Sequence, residues 1–189
     1  MSPLSAPVER EQLHTRRYEF HGFRRADGLW DIEGNMTDTK TYGFANEWRG
    51  EIKAGEPIHD MWIRLTLDDE LVVKDIEAKT AGSPFEVCGA ITPAYDAMKG
   101  LKVGKGWNKR IKELFAGSHG CTHHTEMLGA MATVAFQTIF SARNKWKEGD
   151  GASKRPTFLD TCHALASDGE IVKKNWPEFY TGSQARTAR

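Results

Sequence analysis

The sequence lacks an excess of charge of either sign, because 26 basic residues balance 26 acidic ones. A chain without a net field is not expected to hold nucleic acid or an anionic membrane surface. It also lacks any window near the roughly 18 apolar residues of a membrane span, and its first thirteen residues contain no apolar leader. We therefore expect a cytoplasmic protein whose partner is a small-molecule substrate, with a homodimer as a further option.

Cysteine is scarce, with three residues at wide spacing, Cys88, Cys121 and Cys162. An odd number without a C-x-x-C pair argues against a disulfide framework and against a zinc ribbon. The nucleotide-binding glycine motifs, the H-E-x-x-H zinc motif and the G-x-S-x-G nucleophile motif are missing as well. These absences predict a protein without an organic cofactor or a metal, and they leave zinc as the alternative.

The length of 189 residues fits a single domain. Residues 1–13 are polar and contain proline, and residues 183–189 offer no apolar face, so we expect both segments to be flexible. Residues 14–182 are predicted to form a single α+β domain.

Apolar residues recur with a period of two in the first half of the chain, which is typical of strands. Residues 16–36 predict a hairpin that turns at Asp27-Gly28. Residues 57–67 and 71–78 predict a second hairpin, whose inward face carries His59, Met61 and Ile63. Residues 41–56 are predicted to connect the two, so the sequence indicates an antiparallel sheet of two hairpins.

Helical patterns follow the strands. Residues 92–100 and 107–115 predict two short helices, and an apolar stripe over residues 122–145 predicts a long amphipathic helix that packs on the sheet. Residues 155–180 are interpreted as a strand-like segment. Strands followed by helices favour an α+β fold over alternating βαβ units.

The segment from Gly117 to Glu126 holds the densest group of reactive side chains. It enters the N-terminus of the long helix, which attracts anions and favours the thiolate of Cys121. His123 and Glu126 are three residues apart, so the carboxylate could orient the imidazole for proton transfer. The helical angle places His124 in the apolar stripe and His123 at its rim. The alternative is a capped helix end without a function.

Other candidates lie on the predicted strands. His59 faces inward, where an imidazole needs a hydrogen bond, although a satisfied core histidine is the alternative. Asp60 points to the other side. Arg16 and Arg17 could clamp a substrate anion, unless they are solvated or paired with nearby acids. The ring of Trp30 could stack on a flat ligand, although core packing is the commoner use of such rings.

Five segments spread along the chain form one pattern. They are His14-Thr-Arg-Arg17, Asp27 to Gly34, His59-Asp60, Gly120 to Glu126 and Leu159 to His163. Together they resemble the bacterial domain-of-unknown-function family 2889, over a stretch from His14 to about Tyr180. The resemblance implies an accessory catabolic enzyme for aromatic or acyl substrates. His124 stands where the family pattern has an apolar residue, which favours His123 as the site histidine.

The first hypothesis is a cofactor-independent lyase that removes a small carbonyl fragment or CO2 from an aromatic or acyl acid. His123, oriented by Glu126, moves the proton, and His59 is its partner. The helix N-terminus stabilises developing negative charge. The catalytic candidates are His123, Glu126, His59 and Cys121, and the substrate-binding candidates are Arg16, Arg17, Trp30 and Asp60.

Two alternatives stay open. One is a metal-dependent hydrolase, or a hydratase or thioesterase, in which His59, Cys121 and His123 bind the metal with Glu126 as an optional ligand. The other is a non-catalytic accessory protein that holds a ligand in the same pocket.

Overall fold

The computed structural model describes residues 3–143, 155–156 and 158–182. Residue contacts divide the chain into two compact units, Met1–Ile139 and Phe140–Arg189. Residues 3–13 are exposed throughout. The boundaries of a single domain and the flexible N-terminal segment stay predictions, and residues 183–189 lie outside the described part.

Six strands occupy the first half of the chain. The four long ones form one antiparallel sheet in the order β1-β2-β5-β6, which confirms the two predicted hairpins. The two short ones form a separate hairpin inside the predicted connection of residues 41–56, and the sequence interpretation missed it. The strands are β1 (His14–Arg24), β2 (Trp30–Lys40), β3 (Phe44–Asn46), β4 (Gly50–Ile52), β5 (Pro57–Leu67) and β6 (Val73–Gly82).

One face of the sheet carries the core of the first unit. Inward positions of β2 and β5 pair in register, with Met36 opposite Met61 and Ile32 opposite Leu65, and all four side chains are buried. Because successive strand residues point to opposite faces, this register places every second residue of both strands toward the core.

Two of the three predicted helices begin where the sequence predicted, and the first does not. A run of 3₁₀ turns, Glu86–Met98, begins six residues before the predicted start at Thr92 and contains Pro93. Helix α1 (Trp107–Phe115) has the predicted bounds. Helix α2 (Thr122–Ala142) begins as predicted, while residues 144–145 of the prediction lie outside the described part. No helix among the described residues is long and apolar enough to cross a membrane.

The strand-like interpretation of residues 155–180 was wrong. The described residues there form helix α3 (Glu170–Asn175) and two 3₁₀ turns, His163–Leu165 and Pro177–Phe179. Helix α3 has an acidic residue in its first turn and two lysines in its last, an order that complements the helix dipole. Helix α3 has six residues, of which only Val172 is buried. Such a segment shows no apolar period that could distinguish a helix from a strand.

Helix α2 packs on the sheet, as the sequence predicted, and its contacts with β1 and β2 show where it lies. Glu126 near its start meets Tyr18, Met131 near its middle meets Gly34, and Thr138 near its end meets Gly22. The two glycines lack a Cβ at these contacts, so the helix can approach the sheet closely. The fold is therefore α+β, with an antiparallel sheet against a long helix.

We expect Gly22→Ala to lower the free energy of unfolding by about 1–3 kcal/mol, the usual cost of overpacking. A Cβ at this position would overlap with the side chain of Thr138, which is stiff because it is β-branched. Gly89→Ala is the matched control, since no atom lies within 4 Å of a Cβ there. Urea denaturation of both variants gives the two values, and equal stabilities would contradict the close packing.

Candidate functional site

Asp38 interrupts the apolar inward series of β2. It follows Trp30, Ile32, Gly34 and Met36 at every second position and is only 2% exposed. The sheet register places it opposite Arg16 of β1 and opposite His59 of β5. Directly opposite residues hold their Cβ atoms about 4.5–5.5 Å apart, so these side chains meet over Asp38.

Three side chains donate hydrogen bonds to the Asp38 carboxylate. Arg16 binds it with two nitrogens, Nε to Oδ1 at 2.8 Å and Nη2 to Oδ2 at 2.7 Å. His14 Nε2 lies 2.8 Å from Oδ1, and His59 Nδ1 lies 2.9 Å from Oδ2. Burial alone would raise the pKa of Asp38, but the hydrogen bonds from Arg16 and His14 outweigh it and hold the pKa well below its usual range.

The ionised carboxylate fixes the proton position on His59. Because an ionised carboxylate only accepts hydrogen bonds, the hydrogen of neutral His59 must sit on Nδ1. Its Nε2 then carries a free electron pair. Burial lowers the pKa of His59 in spite of the opposing effect of Asp38, so the ring is neutral at pH 7.

His123 brings a second imidazole from the first turn of α2. Its ring centroid lies 4.0 Å from that of His59, and its Nε2 lies 3.9 Å from Asp38 Oδ2. Burial, reinforced by the neighbouring His59 and Arg16, lowers the pKa of His123. The group formed by His14, Arg16, Asp38, His59 and His123 is called the Asp38 cluster below.

Glu126 lies at the rim of the cluster and is 45% exposed. Its carboxylate accepts a hydrogen bond from Arg16 Nη1 at 3.0 Å and another from the Tyr18 hydroxyl at 2.9 Å. The sequence interpretation assigned Glu126 to His123, yet the carboxylate that is hydrogen-bonded to an imidazole of this cluster is Asp38. Glu126 is instead bound by the guanidinium of Arg16 and the phenol of Tyr18, both on strand β1.

Cys121 lies immediately before α2 and beside His123, with its Sγ 3.9 Å from His123 Nδ1. The buried Tyr95 hydroxyl accepts a hydrogen bond from the Cys121 amide at 2.9 Å and donates one to the Cys121 carbonyl at 3.0 Å. Tyr95 therefore holds the start of α2, and with it the position of His123.

Three predicted substrate-binding residues are not brought to the cluster. Arg17 is one residue out of phase with Arg16 and is exposed on the other face. Asp60 also faces away and accepts a hydrogen bond from Asn35 Nδ2 at 2.8 Å. Trp30 shares the inward face but stands eight residues from Asp38, about 26 Å along an extended strand, and its indole donates to Asp69.

The fourth, Arg16, is in the cluster but is not a free anion clamp. Its guanidinium is shared between Asp38 and Glu126, and the hydrogen bond with Asp38 raises its pKa far above the usual value. Arg16 therefore neutralises protein carboxylates.

A family described as a protein of unknown function (DUF2889) matches residues 14–137. The chain belongs to this family. The matched stretch runs from the first residue of β1 into α2, and it includes every residue of the Asp38 cluster. Neither the comparison with curated proteins nor that with solved structures gave a match.

The sequence interpretation of this DUF2889 chain missed Asp38 and gave Tyr18 no role at the site. A signal for Asp38 was present, since it is an acidic residue at an inward position of an otherwise apolar strand face. For Tyr18 no comparable signal existed, because its partner Glu126 lies far away in the sequence. Burial raises the pKa of Tyr18, aided by Glu126, so the phenol keeps the proton that it donates.

The arrangement suits the transfer of protons. It places two neutral imidazoles side by side, one of which is oriented by a buried carboxylate. The side chains of His59 and His123 are 18% and 21% exposed, so both imidazoles are partly open to solvent. The same two residues and Asp38 also present donor atoms that lie within 4.8 Å of one another.

Proposed function

We propose that this DUF2889 protein is a small-molecule lyase that works by acid–base catalysis with His59 and His123. One observation carries the proposal: His59 Nδ1 is bound to the buried Asp38 at 2.9 Å while its ring lies 4.0 Å from that of His123. A carboxylate that fixes the tautomer of one histidine, beside a second histidine, is typical of a catalytic base with a proton-transfer partner.

The proposed reaction begins at His59 Nε2, which takes the proton of a substrate hydroxyl. The adjacent C–C bond breaks, and its electron pair stays on the larger fragment while the smaller one leaves as a carbonyl compound. The carbon that keeps the pair then receives the proton back from His59, directly or through His123. Asp38 stabilises the positively charged imidazole between the two steps.

The charge of the site limits which chemical groups of a substrate can lie at the two histidines. Since Arg16 is neutralised by Asp38 and Glu126, a substrate carboxylate would find no free guanidinium there. We therefore propose that an aromatic or acyl compound presents a neutral hydroxyl or acyl group to the two histidines and keeps any carboxylate outside the cluster. The aromatic or acyl class itself is supported by the family resemblance alone.

The test is a screen of the untagged, chelator-treated protein against aromatic β-hydroxy compounds, aromatic acids and acyl thioesters. Released formaldehyde or other aldehyde, CO2 and thiol are measured separately. We expect a carbonyl product from the wild type and from His21→Ala, whose exposed imidazole is paired with Glu19, but not from His123→Ala. Release of CO2 alone would favour a decarboxylation instead of the proposed step.

Other outcomes of the screen decide against the lyase. Thiol release alone would favour a thioesterase that uses the same base on water. Turnover only after metal is restored would favour the metal-dependent alternative. Binding of a compound without conversion would leave an accessory protein, and unimpaired turnover in His123→Ala would remove this histidine from the mechanism.

A further inference from the structure

We infer that the DUF2889 chain has a binding site for a divalent transition metal of the zinc class, formed by Asp38 Oδ2, His59 Nδ1 and His123 Nε2. One carboxylate oxygen and two imidazole nitrogens are ligands that zinc prefers in proteins. Each of these residues offers a donor atom within 4.8 Å of the other two. The inference needs no substrate and does not rest on the proposed lyase.

The distances come close to those of a metal site and need small movements of the two histidine side chains. Zinc–ligand bonds of about 2.0–2.1 Å place the ligand atoms of a tetrahedral site about 3.4 Å apart. Asp38 Oδ2 lies 2.9 Å from His59 Nδ1 and 3.9 Å from His123 Nε2. The first distance is about half an ångström too short and the second about half an ångström too long, so His59 and His123 would each shift by about that much on binding a metal.

The surroundings already hold the three ligands in place. Asp38 and His59 are paired on neighbouring strands, so the backbone hydrogen bonds between β2 and β5 fix their separation. His14 and Arg16 Nε bind the other oxygen, Oδ1, and orient the carboxylate. Cys121 Sγ lies 3.9 Å from His123 Nδ1, the ring nitrogen that the metal would not use. Such outer contacts are what fixes ligand orientation in metal sites.

The charge of the cluster also favours a cation. Within the cluster the charges of Asp38 and Arg16 cancel when the imidazoles are neutral, and Glu126 at its rim adds one net negative charge. Arg16 Nη2 already donates a hydrogen bond to Asp38 Oδ2 at 2.7 Å. This contact would weaken the bond between Oδ2 and the metal, so the bound metal is expected to exchange with metal in solution. Three protein ligands leave a fourth position for water on the exposed side.

Metal binding and the proposed proton transfer exclude one another at His59. A metal on Nδ1 takes the electron pair of that nitrogen, and the ring hydrogen moves to Nε2. Nε2 then becomes a donor and can no longer accept a proton from a substrate. Zinc is therefore expected to inhibit the proposed lyase reaction. The binding of zinc can be measured without any turnover.

The experiment titrates Co2+ into the untagged full-length protein and follows its visible absorption, with Zn2+ added afterwards as a competitor. We expect one Co2+ per chain with the absorption of a four-coordinate ion, displaced by Zn2+. His59→Ala and His123→Ala should each weaken binding by at least about tenfold, the loss that even outer-shell changes cause. His21→Ala, the exposed-histidine control, should bind as the wild type does.

Circular dichroism of each variant separates a lost ligand from a lost fold. The inference is overturned if the folded wild type shows no one-to-one Co2+ absorption, or if folded His123→Ala binds as tightly as the wild type. A protein that binds Co2+ but converts no compound in the screen would support the metal site and contradict the lyase proposal. Turnover by chelator-treated protein that binds no Co2+ would support the lyase proposal and contradict the metal site.

Discussion

Asp38→Asn is expected to lower the free energy of unfolding by about 3 kcal/mol, near the lower end for a broken buried ion pair. The variant keeps the shape of the side chain but removes the negative charge that Arg16 binds with two nitrogens. Its amide can accept only part of the four hydrogen bonds that the carboxylate receives from Arg16, His14 and His59. Urea denaturation near pH 7 measures the change.

Glu126→Gln is the matched control for this prediction. It makes the same chemical change in a carboxylate that binds the same arginine, but at an exposed rim. An exposed ion pair contributes at most about 1 kcal/mol, so the stability of this variant should stay close to that of the wild type. If both substitutions lowered the free energy of unfolding by the same amount, Asp38 would not be the centre of the cluster.

The acid sensitivity of the protein should follow from the same residue. Because the pKa of Asp38 is lower in the folded chain than in the unfolded chain, its contribution to stability is complete above the unfolded pKa of about 4. The contribution is lost as the pH falls from there toward the folded value. His59 and His123 act in the same direction at higher pH, since their lowered pKa values favour the unfolded chain once the pH falls below about 6.5.

The large elements could be predicted because their apolar periods are unambiguous. The two long hairpins alternate apolar and polar residues over most of their strands around Asp27-Gly28 and residues 68–70, and α2 has a stripe over about six turns of chain. His124 was expected in that stripe and is fully buried. The hairpin of β3 and β4 was missed because strands of three residues are too short to show a period.

The site was only half predictable for a different reason. His59 and His123 could be named because each is a histidine in an unusual local position. Asp38 also has an unusual local position, but its pairing with the histidines is fixed by strand register and helix packing, which join distant parts of the chain and leave no local pattern. Spacing along α2 instead suggested Glu126, since residues three apart on a helix are neighbours. Local periodicity thus locates candidate side chains but does not choose between the carboxylates that could orient them.

The register also explains why a polar cluster can exist on a core face. Toward Trp30 and Leu67 the inward residues of β2 and β5 are apolar and buried, whereas the pair at the opposite end is Asp38 and His59. Helix α2 lies along this face with His123 and Glu126 at the polar end and Met131 and Thr138 farther on. The apolar part keeps the helix on the sheet, and the polar end stays near solvent.

His59→Asn is expected to lower the turnover of a lyase substrate by about 10²–10⁴-fold, the range for losing a general base. An asparagine amide can replace Nδ1–H as the donor to Asp38, but it offers no basic nitrogen at the position of Nε2. The variant should therefore stay folded, with turnover and not stability as the property that changes. In the wild type, kcat/KM should be constant above about pH 6.5 and fall at lower pH, because burial places the pKa of the free base below its ordinary value. Steady-state rates between pH 5 and 8, together with melting temperatures, check both statements. A His59→Asn protein with undiminished turnover would show that the base is another group, and the free electron pair of His59 would then have no part in the chemistry.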